Sequence, residues 1–408
     1  MRDISDLRQR QALPLSAKVL MTQNRIREWY QHFNGDVYVS FSGGKDSTVL
    51  AHLVQDLYPD VPLVFSNTGL EYPEIQQFAR KMGAEFIRPD KRFDEVISEY
   101  GYPIIGKEVA ESIYYARIIK NNGDGKETVR RRSDLQGTRG EHDKQVFLHY
   151  IRSRAELDGK RYVKKDENGV GKFISLDDVK DEEVTLSPYN KTKWKPLNDE
   201  TQFKISHKCC GIMKKSPFGK YNRKNKVYPF IGSLAEESRL RMGAWLRHGC
   251  NAYDGRISSQ PLSFWTEQDI LQYIKNERLE IASVYGEIVS TDKDGFGYDA
   301  FPGCECNLKC TGCQRTGCIF CGFGVHLEKG ETRFQRLAKT HPKQYEYCIG
   351  GGQWVDNPDF DPTAPEYDGD WKNWNPKKIW VPSKKGLGMK KVFDDCNSIY
   401  GKDFIRYE

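Results

Sequence analysis

The sequence has no run of 18 apolar residues, so no segment reads as a membrane-spanning helix. Its first stretch, Met1 to Gln11, is charged and lacks an apolar core segment, which argues against a secretory signal and leads to a cytoplasmic expectation. No internal repeat is visible, which sets repeat architectures aside. A strong excess of one charge is missing as well: 63 basic residues face 57 acidic ones, for a net charge of +6. So mild an excess suits a phosphate-bearing substrate without requiring nucleic acid. Also missing is the even spread of cysteines that marks a small extracellular disulfide scaffold. The 11 cysteines are clustered instead, with Cys304, Cys306, Cys310, Cys313, Cys318 and Cys321 inside 18 residues and Cys209 beside Cys210. In a reducing compartment such clustering reads as a metal site.

What is present is a globular composition, 38% hydrophobic and 29% charged, over 408 residues. That length allows about two to three domain-sized units. The first hundred residues alternate between helix and strand patterns. Ile26, Trp29, Tyr30 and Phe33 share one helical face, with Ser16 as the expected cap and Asn34-Gly35 as the stop. Val37 to Val39, Leu63 to Phe65 and Glu85 to Arg88 read as buried strands. Helical patterns around Leu50, Leu53, Val54 and Leu57, around Ile75, Phe78, Ala79 and Met82, and around Phe93, Val96, Ile97 and Tyr100 accompany them. Alternation of this kind predicts an α/β fold, a parallel sheet flanked by helices with right-handed crossovers.

Beyond that the pattern changes. The expected blocks are an α/β domain over residues 1–290 with a polar insertion at about 121–200, a cysteine-rich metal-binding segment at 291–345, and a C-terminal extension at 346–408 rich in Trp, Gly and Pro. Trp265 to Leu279 reads as a helix, with Ile270, Tyr273 and Ile274 on one face. Four of the eight tryptophans, Trp354, Trp371, Trp374 and Trp380, fall in 350–390, where they suit an acceptor surface, a lid or an extra packing layer.

The central motif is Ser42-Gly43-Gly44-Lys45-Asp46-Ser47, placed after the strand that ends in Ser40-Phe41 and before a helix. Two glycines permit a tight bend whose N–H groups can face an anion, and the following helix adds its positive dipole end. Ser42 and Ser47 can donate hydroxyl hydrogen bonds, and Lys45 adds a full charge. Neither the Walker A spacing nor the Rossmann fingerprint is present. An ordinary β-turn-α connection can have the same composition.

This motif resembles the PP-loop signature of the ATP pyrophosphatases, and further elements resemble the phosphoadenosine phosphosulfate (PAPS) reductase-like branch of that superfamily. They are Asn67-Thr68-Gly69-Leu70-Glu71-Tyr72-Pro73-Glu74, Cys209-Cys210-x3-Lys214, Gly232-x-x-Ala235-Glu236-Glu237-Ser238-x-x-Arg241, and Pro261-Leu262-x-x-Trp265-Thr266-x-x-Asp269-Ile270. The resemblance covers residues 37 to about 290 and implies the HUP/PP-loop type of fold. It implies an adenine nucleotide, ATP or a sulfonucleotide, as ligand. Ser40, Ser42, Gly43, Gly44 and Ser47 would hold phosphates, Lys45 would offset their charge, and Asp46 would bind Mg2+ or cap the helix. Asn67, Thr68 and Gly69 would lie beside the adenosine, while Glu237, Ser238 and Arg241 would stand near nucleotide phosphate.

For the cysteines, two Cys-x-x-Cys knuckles at close range signal a metal. Cys310, Cys313, Cys318 and Cys321 could form a local four-thiolate site of the kind Zn2+ prefers. Alternatively, the resemblance to adenylylsulfate-reducing members implies Cys209, Cys210, Cys318 and Cys321 around a four-iron, four-sulfur (4Fe-4S) cluster, with Cys313 and Cys348 as substitutes. Cys250 and Cys396 are isolated and read as ordinary residues.

Two departures bear on the reaction. Sulfonucleotide reductases carry a nucleophilic cysteine in a Glu-Cys-Gly-Leu-His tail, whereas this sequence reads Asp395-Cys396-Asn397-Ser398. The loop is also intact, as in the small subunit of ATP sulfurylase and in DNA phosphorothioation proteins. The expected reaction is therefore cleavage of ATP at the α-phosphate with pyrophosphate release, activating an acceptor in sulfur metabolism or sulfur transfer. One alternative is an adenylylsulfate or PAPS reductase that forms sulfite, for which Cys348 or Cys396 would have to be the nucleophile. Another is a zinc-bearing nucleic-acid-binding module, suggested by Arg130-Arg131-Arg132 and Lys214-Lys215. The sulfur donor or acceptor, nucleic acid included, and self-association into a homo-oligomer stay open.

Overall fold

The computed structural model describes residues 3–117, 119–121, 127–129, 164–165, 171–172, 194–291, 307–363 and 374–408. Cys304, Cys306, Trp371, Arg130-Arg131-Arg132 and most of the polar insertion lie outside the described residues. The chain forms two compact units, each discontinuous in sequence: residues 1–90 with 211–319, and residues 91–210 with 320–408. Among the described residues no helix is long and apolar enough to cross a membrane.

The first unit is built on a six-stranded sheet. In chain order its elements are helices α1 (Ile4–Gln11) and α2 (Leu15–His32), strand β1 (Val37–Phe41), α3 (Lys45–Leu57), β2 (Leu63–Ser66), α4 (Pro73–Lys81), β3 (Glu85–Ile87), α5 (Ser216–Asn225), β4 (Tyr228–Ile231), α6 (Arg239–His248), β5 (Asn251–Ala252), β6 (Ser258–Ser259) and α7 (Glu267–Asn276). The spatial order is β5-β6-β4-β1-β2-β3, parallel throughout except for the β5-β6 edge. Val39 pairs with Leu63 on one side and Phe230 on the other. Val37, Tyr38, Val39 and Phe41 are all buried, because helices cover both faces of such a strand. Trp29 of α2 meets Phe230 on one face, and Phe218 of α5 stacks near Tyr38 on the other.

Most predicted elements form within a residue or two of their expected bounds. One cap does not: α2 begins at Leu15 behind Pro14, without a side-chain cap, so Ser16 lies inside the helix. Proline has φ already set for a helix start and outcompetes the serine. Asn34 (φ 51°) and Gly35 (φ 86°) end that helix as expected. Helix α7 starts at Glu267 behind Thr266, which forms a reciprocal capping box with Asp269. Asp269 also accepts a 2.6 Å bond from Lys18, itself 2% exposed, and Trp265 Nε1 donates to Thr22 Oγ1 at 2.9 Å. The Pro261 to Ile270 motif thus ties α7 to α2.

The second unit contains helices Phe93–Tyr100, Lys107–Arg117, Lys195–Glu200, Arg333–Thr340, Pro342–Ile349 and Met389–Tyr400. Ile104–Ile105 pairs in parallel with Gly322–Phe323, and Gln353–Asp356 runs antiparallel to Lys378–Val381. Arg117 is buried, bonded to Asn198 and to the carbonyl of Phe203, with its guanidinium 4.1 Å above the Trp374 ring. Trp374 donates to the Thr201 carbonyl and Trp380 to that of Gly388. Of the three roles open for the tryptophans, these two fill a packing layer.

Candidate functional site

Because β1 connects to β2 on one side and the chain later returns to β4 on the other, the carboxyl ends of β1 and β4 frame the switch point of the sheet. In open α/β sheets that crevice is where ligands bind. The bend at 42–47 leaves β1 there. Gly43 has φ +69°, and a Cβ on it would come within 2.8 Å of Ile75 Cγ2, so conformation and space both require glycine. Gly44 is the N-cap of α3 and has no side-chain capping bond. Asp46 is therefore not the cap that was one of its two expected roles. It sits in the first helical turn, where the helix dipole favours an anion.

The serine hydroxyls hold the bend in shape. Ser42 Oγ and Ser47 Oγ lie 2.9 Å apart, the Ser42 N–H donates to Ser47 Oγ, and Ser47 Oγ donates to the Gly44 carbonyl at 2.9 Å. Ser40 lies half-buried on β1 just below.

Two further turns approach the bend. At the end of β2, Thr68 Oγ1 donates to Glu71 Oε1 at 2.6 Å and Gly69 N–H donates to Asn67 Oδ1 at 3.2 Å. Asn67, Thr68 and Gly69 are thereby fixed at the carboxyl edge. After β4, Gly232 is pressed onto the bend, since a Cβ there would stand 3.0 Å from the carbonyl of Asp46 and from Ser47 Cα. Glu237 accepts the Leu234 N–H at 3.0 Å and pairs with Arg241, while Ser238 caps α6 by accepting the Arg241 N–H. Glu237 and Ser238 are thus committed to shaping this turn and to aiming Arg241.

Charge converges on the bend. Burial raises the Asp46 carboxyl above its ordinary value; Lys45 opposes the shift and Glu267 reinforces it, while Arg315 and Arg241 pull it back down. Burial lowers the Arg241 guanidinium, partly offset by Asp46. Lys45 is 5% exposed, with Nζ 3.1 Å from Glu267 Oε1 and 5.6 Å above the Tyr285 ring. Tyr285 bonds Thr316 at 2.5 Å, and burial pushes its hydroxyl up to about 12. A cleft of about 90 Å³ opens beside the bend, lined by Ser40, Ser42, Phe65, Glu71, Lys214 and Thr316 among others. It is smaller than the ~300 Å³ at which ligand pockets usually begin. Only part of a nucleotide can lie inside it, and the rest must extend over the bend.

Arg315, Glu267 and Tyr285 belong to this neighbourhood although no site role was expected of them, and Lys214, expected only as part of a basic cluster, joins them. Lys214 had a usable signal, its place in the Cys-Cys-x3-Lys element. Arg315 was hidden between Cys313 and Cys318, in a stretch read as metal-binding.

The cysteines divide between the units. Cys310, Cys313 and Cys318 fall in the first; Cys209, Cys210, Cys321 and Cys348 fall in the second. Cys310 and Cys313 are buried, and burial raises the Cys310 thiol while Lys45 lowers it. Cys348 and Cys396 are fully buried in the second unit, and burial pushes both thiols far above their ordinary value. Among the described residues no three His, Cys, Asp or Glu side chains gather as a metal cage would require.

Fold and bend together define a class: an open α/β domain with a glycine-bearing turn at its switch point. The chain belongs to the family described as phosphoadenosine phosphosulfate reductase domain, which it matches over residues 36–124 and 170–322, more than half its length. Among curated relatives it is 38% identical to an uncharacterized protein of Methanocaldococcus jannaschii over 84 residues, 19% of this chain and 18% of that protein. It is 24% identical to a phosphoadenosine 5'-phosphosulfate reductase of Photobacterium profundum over 189 residues, 45% of this chain and 71% of that one. With an adenosine 5'-phosphosulfate reductase of Staphylococcus haemolyticus the identity is 29% over 103 residues, covering 23% and 42%. The chain spans about a fifth to a quarter of the length of the first curated relatives it matches. A crystal structure of PAPS reductase from Candida auris in a phosphate complex aligns with 69% of this chain and 91% of that one, at 10% identity and a TM-score of 0.29.

Proposed function

We propose that this chain is a nucleotide-dependent enzyme of sulfur metabolism that binds ATP across the bend at 42–47 and activates an acceptor by adenylation. The observation that carries the reading is the intact bend at the switch point, with Gly43 and Gly232 both excluding a side chain. Backbone N–H groups of the bend and the start of α3 face the phosphates, and Arg241 of α6 and Arg315 of the cysteine-rich segment supply positive charge. An acceptor oxygen attacks the α-phosphorus, the bond to the β-phosphate oxygen breaks, and pyrophosphate leaves with that electron pair. A sulfur nucleophile then displaces AMP from the activated acceptor. The protein's part is to position and to stabilise charge, which is most of what phosphoryl-type transfer requires.

Mg2+ fits this site on the chemistry of its donors. It needs one or two protein carboxylates beside substrate phosphate, and Asp46 is a carboxylate in the first turn of the loop helix. When bound, the ion would neutralise charge on the leaving pyrophosphate. A cluster on Cys209, Cys210, Cys318 and Cys321, or zinc on the local set, rests on sequence pattern alone, and no step here is routed through either. Iron, zinc and sulfide quantitation on anaerobically purified protein separates the two.

A second reading, sulfite formation from a sulfonucleotide, draws on the relatives' printed activities. It needs a thiolate, and the two cysteines proposed for it, Cys348 and Cys396, are buried and held protonated. ATP–pyrophosphate exchange across candidate acceptors, run beside sulfite release from labelled sulfonucleotide, tests the choice. Exchange without sulfite supports adenylation; sulfite without exchange overturns it.

A further inference from the structure

We infer that a second, basic trough beside the nucleotide cleft receives a single-stranded nucleic acid, so that the acceptor of the activation step is a nucleic-acid strand. The role as acceptor rests on the nucleotide reading above; the binding does not. The trough has a volume of about 900 Å³, ten times that of the cleft, and runs along the sheet face of β1 and β4 between α5 and the loop at 255–258. Lys214, Lys215, Arg223, Lys226 and Arg256 line it, and among the described residues no Asp or Glu does. The whole chain carries a net charge of only +6, so five cations in one trough are a local concentration and not a general background. Arg223, Lys226 and Arg256 are exposed, and among the described residues none of them has a carboxylate partner.

Charge alone would also suit an anionic membrane, but this surface is concave and its floor is aromatic. Phe218 and Tyr228 line it half-buried, each braced from behind, Phe218 against Tyr38 and Tyr228 against Phe33. Cations that track a backbone together with rings that accept stacked bases are how single strands are held. Trough and cleft adjoin, with Ser40, Lys214 and Phe218 lining both. A strand in the trough therefore passes beside the cleft where the nucleotide is proposed to bind.

The test uses the full chain with fluorescein-labelled 12-nucleotide RNA and DNA single strands, anisotropy being followed over a series of KCl concentrations. Three to five phosphate contacts predict a slope of log K against log salt of about −2 to −3.5. The variant Arg223→Gln/Lys226→Gln/Arg256→Gln should bind about tenfold or more weakly at low salt, with a slope shallower by about 2. Its ATP affinity should stay within about twofold of wild type. A control of equal net charge, Lys329→Gln/Lys343→Gln/Lys402→Gln, should bind the strand like wild type. The proposal is overturned if no strand binds, if trough and control variants lose affinity alike, if duplexes bind as well as single strands, or if the trough variant alters self-association instead of strand affinity. Strand binding without ATP binding would remove the nucleotide reading and leave the trough assignment standing; ATP binding without strand binding would do the reverse.

Discussion

The Lys45 ammonium lies 3.1 Å from Glu267 Oε1, a pairing that joins the first residue of α3 to the first residue of α7, 222 positions later in the chain. Lys45 is buried and Glu267 is 39% exposed, so the pair is partly solvent-screened. An incoming triphosphate competes with Glu267 for the same ammonium. Glu267→Gln keeps an acceptor oxygen and removes the competing charge, and should tighten ATP binding by up to about fivefold, the equivalent of a partly exposed ion pair. Titration calorimetry on both proteins reads this directly. Weaker binding in the variant would show that Glu267 positions the lysine and does not restrain it.

Gly232 and Asp46 predict the second outcome. A Cβ at 232 meets backbone, which cannot swing aside as a side chain can. Gly232→Ala should cost about 1–3 kcal/mol of stability by overpacking. It should also displace the bend and lower ATP affinity by more than tenfold. Gly83→Ala is the contrast: nothing lies near its added Cβ, so the strain of φ +70° alone should show, without loss of nucleotide. Thermal melts with and without ATP distinguish the two.

Arg315 should matter although it comes from the cysteine-rich segment. It lies 3.9 Å from Glu237 and is one of the two arginines that act on Asp46. Arg315→Ala should reduce pyrophosphate exchange by about ten- to hundredfold if it meets a phosphate in the bound state, the worth of a charged hydrogen bond. An unchanged rate would leave Arg315 as a surface residue.

Thiol chemistry supplies a pH-dependent prediction. Cys348 and Cys396 have folded-state values raised well above the ordinary 9.0 by burial. Their stabilising contribution is complete below the unfolded value and is lost progressively as pH rises above it, because the unfolded chain gives up protons the folded chain keeps. Stability should therefore begin to fall above about pH 8.5 to 9. At pH 8 neither thiol should react with iodoacetamide before unfolding, as peptide mass spectrometry would show. Rapid native labelling of either would restore it as a candidate nucleophile.

How much was legible in the sequence follows physical lines. Strands such as Val37–Phe41 and Leu63–Ser66 announced themselves because parallel strands are apolar on both faces, and α4 did so by its one-sided apolar pattern. The bend was legible because its glycines answer a local need. Caps were less so: Ser16 and Asp46 both looked like caps, yet Pro14 and Gly44 take those places, since backbone conformation decides among neighbours only a residue or two apart. Glu267, Tyr285 and Arg315 reach the site from 222 to 270 residues away through tertiary packing, and no spacing rule links them to the bend. The roles of Ser238 and Glu237 were half legible, since one turn of helix was evident but its use in aiming Arg241 was not.

The most direct measurement is calorimetric titration of Mg2+-ATP into the wild-type chain and into Gly43→Val, whose side chain would fill the bend against Ile75. The account predicts binding at one site per wild-type chain and none to a Gly43→Val protein shown to be folded by its circular dichroism. Equal binding to both, or no binding to wild type, would contradict it.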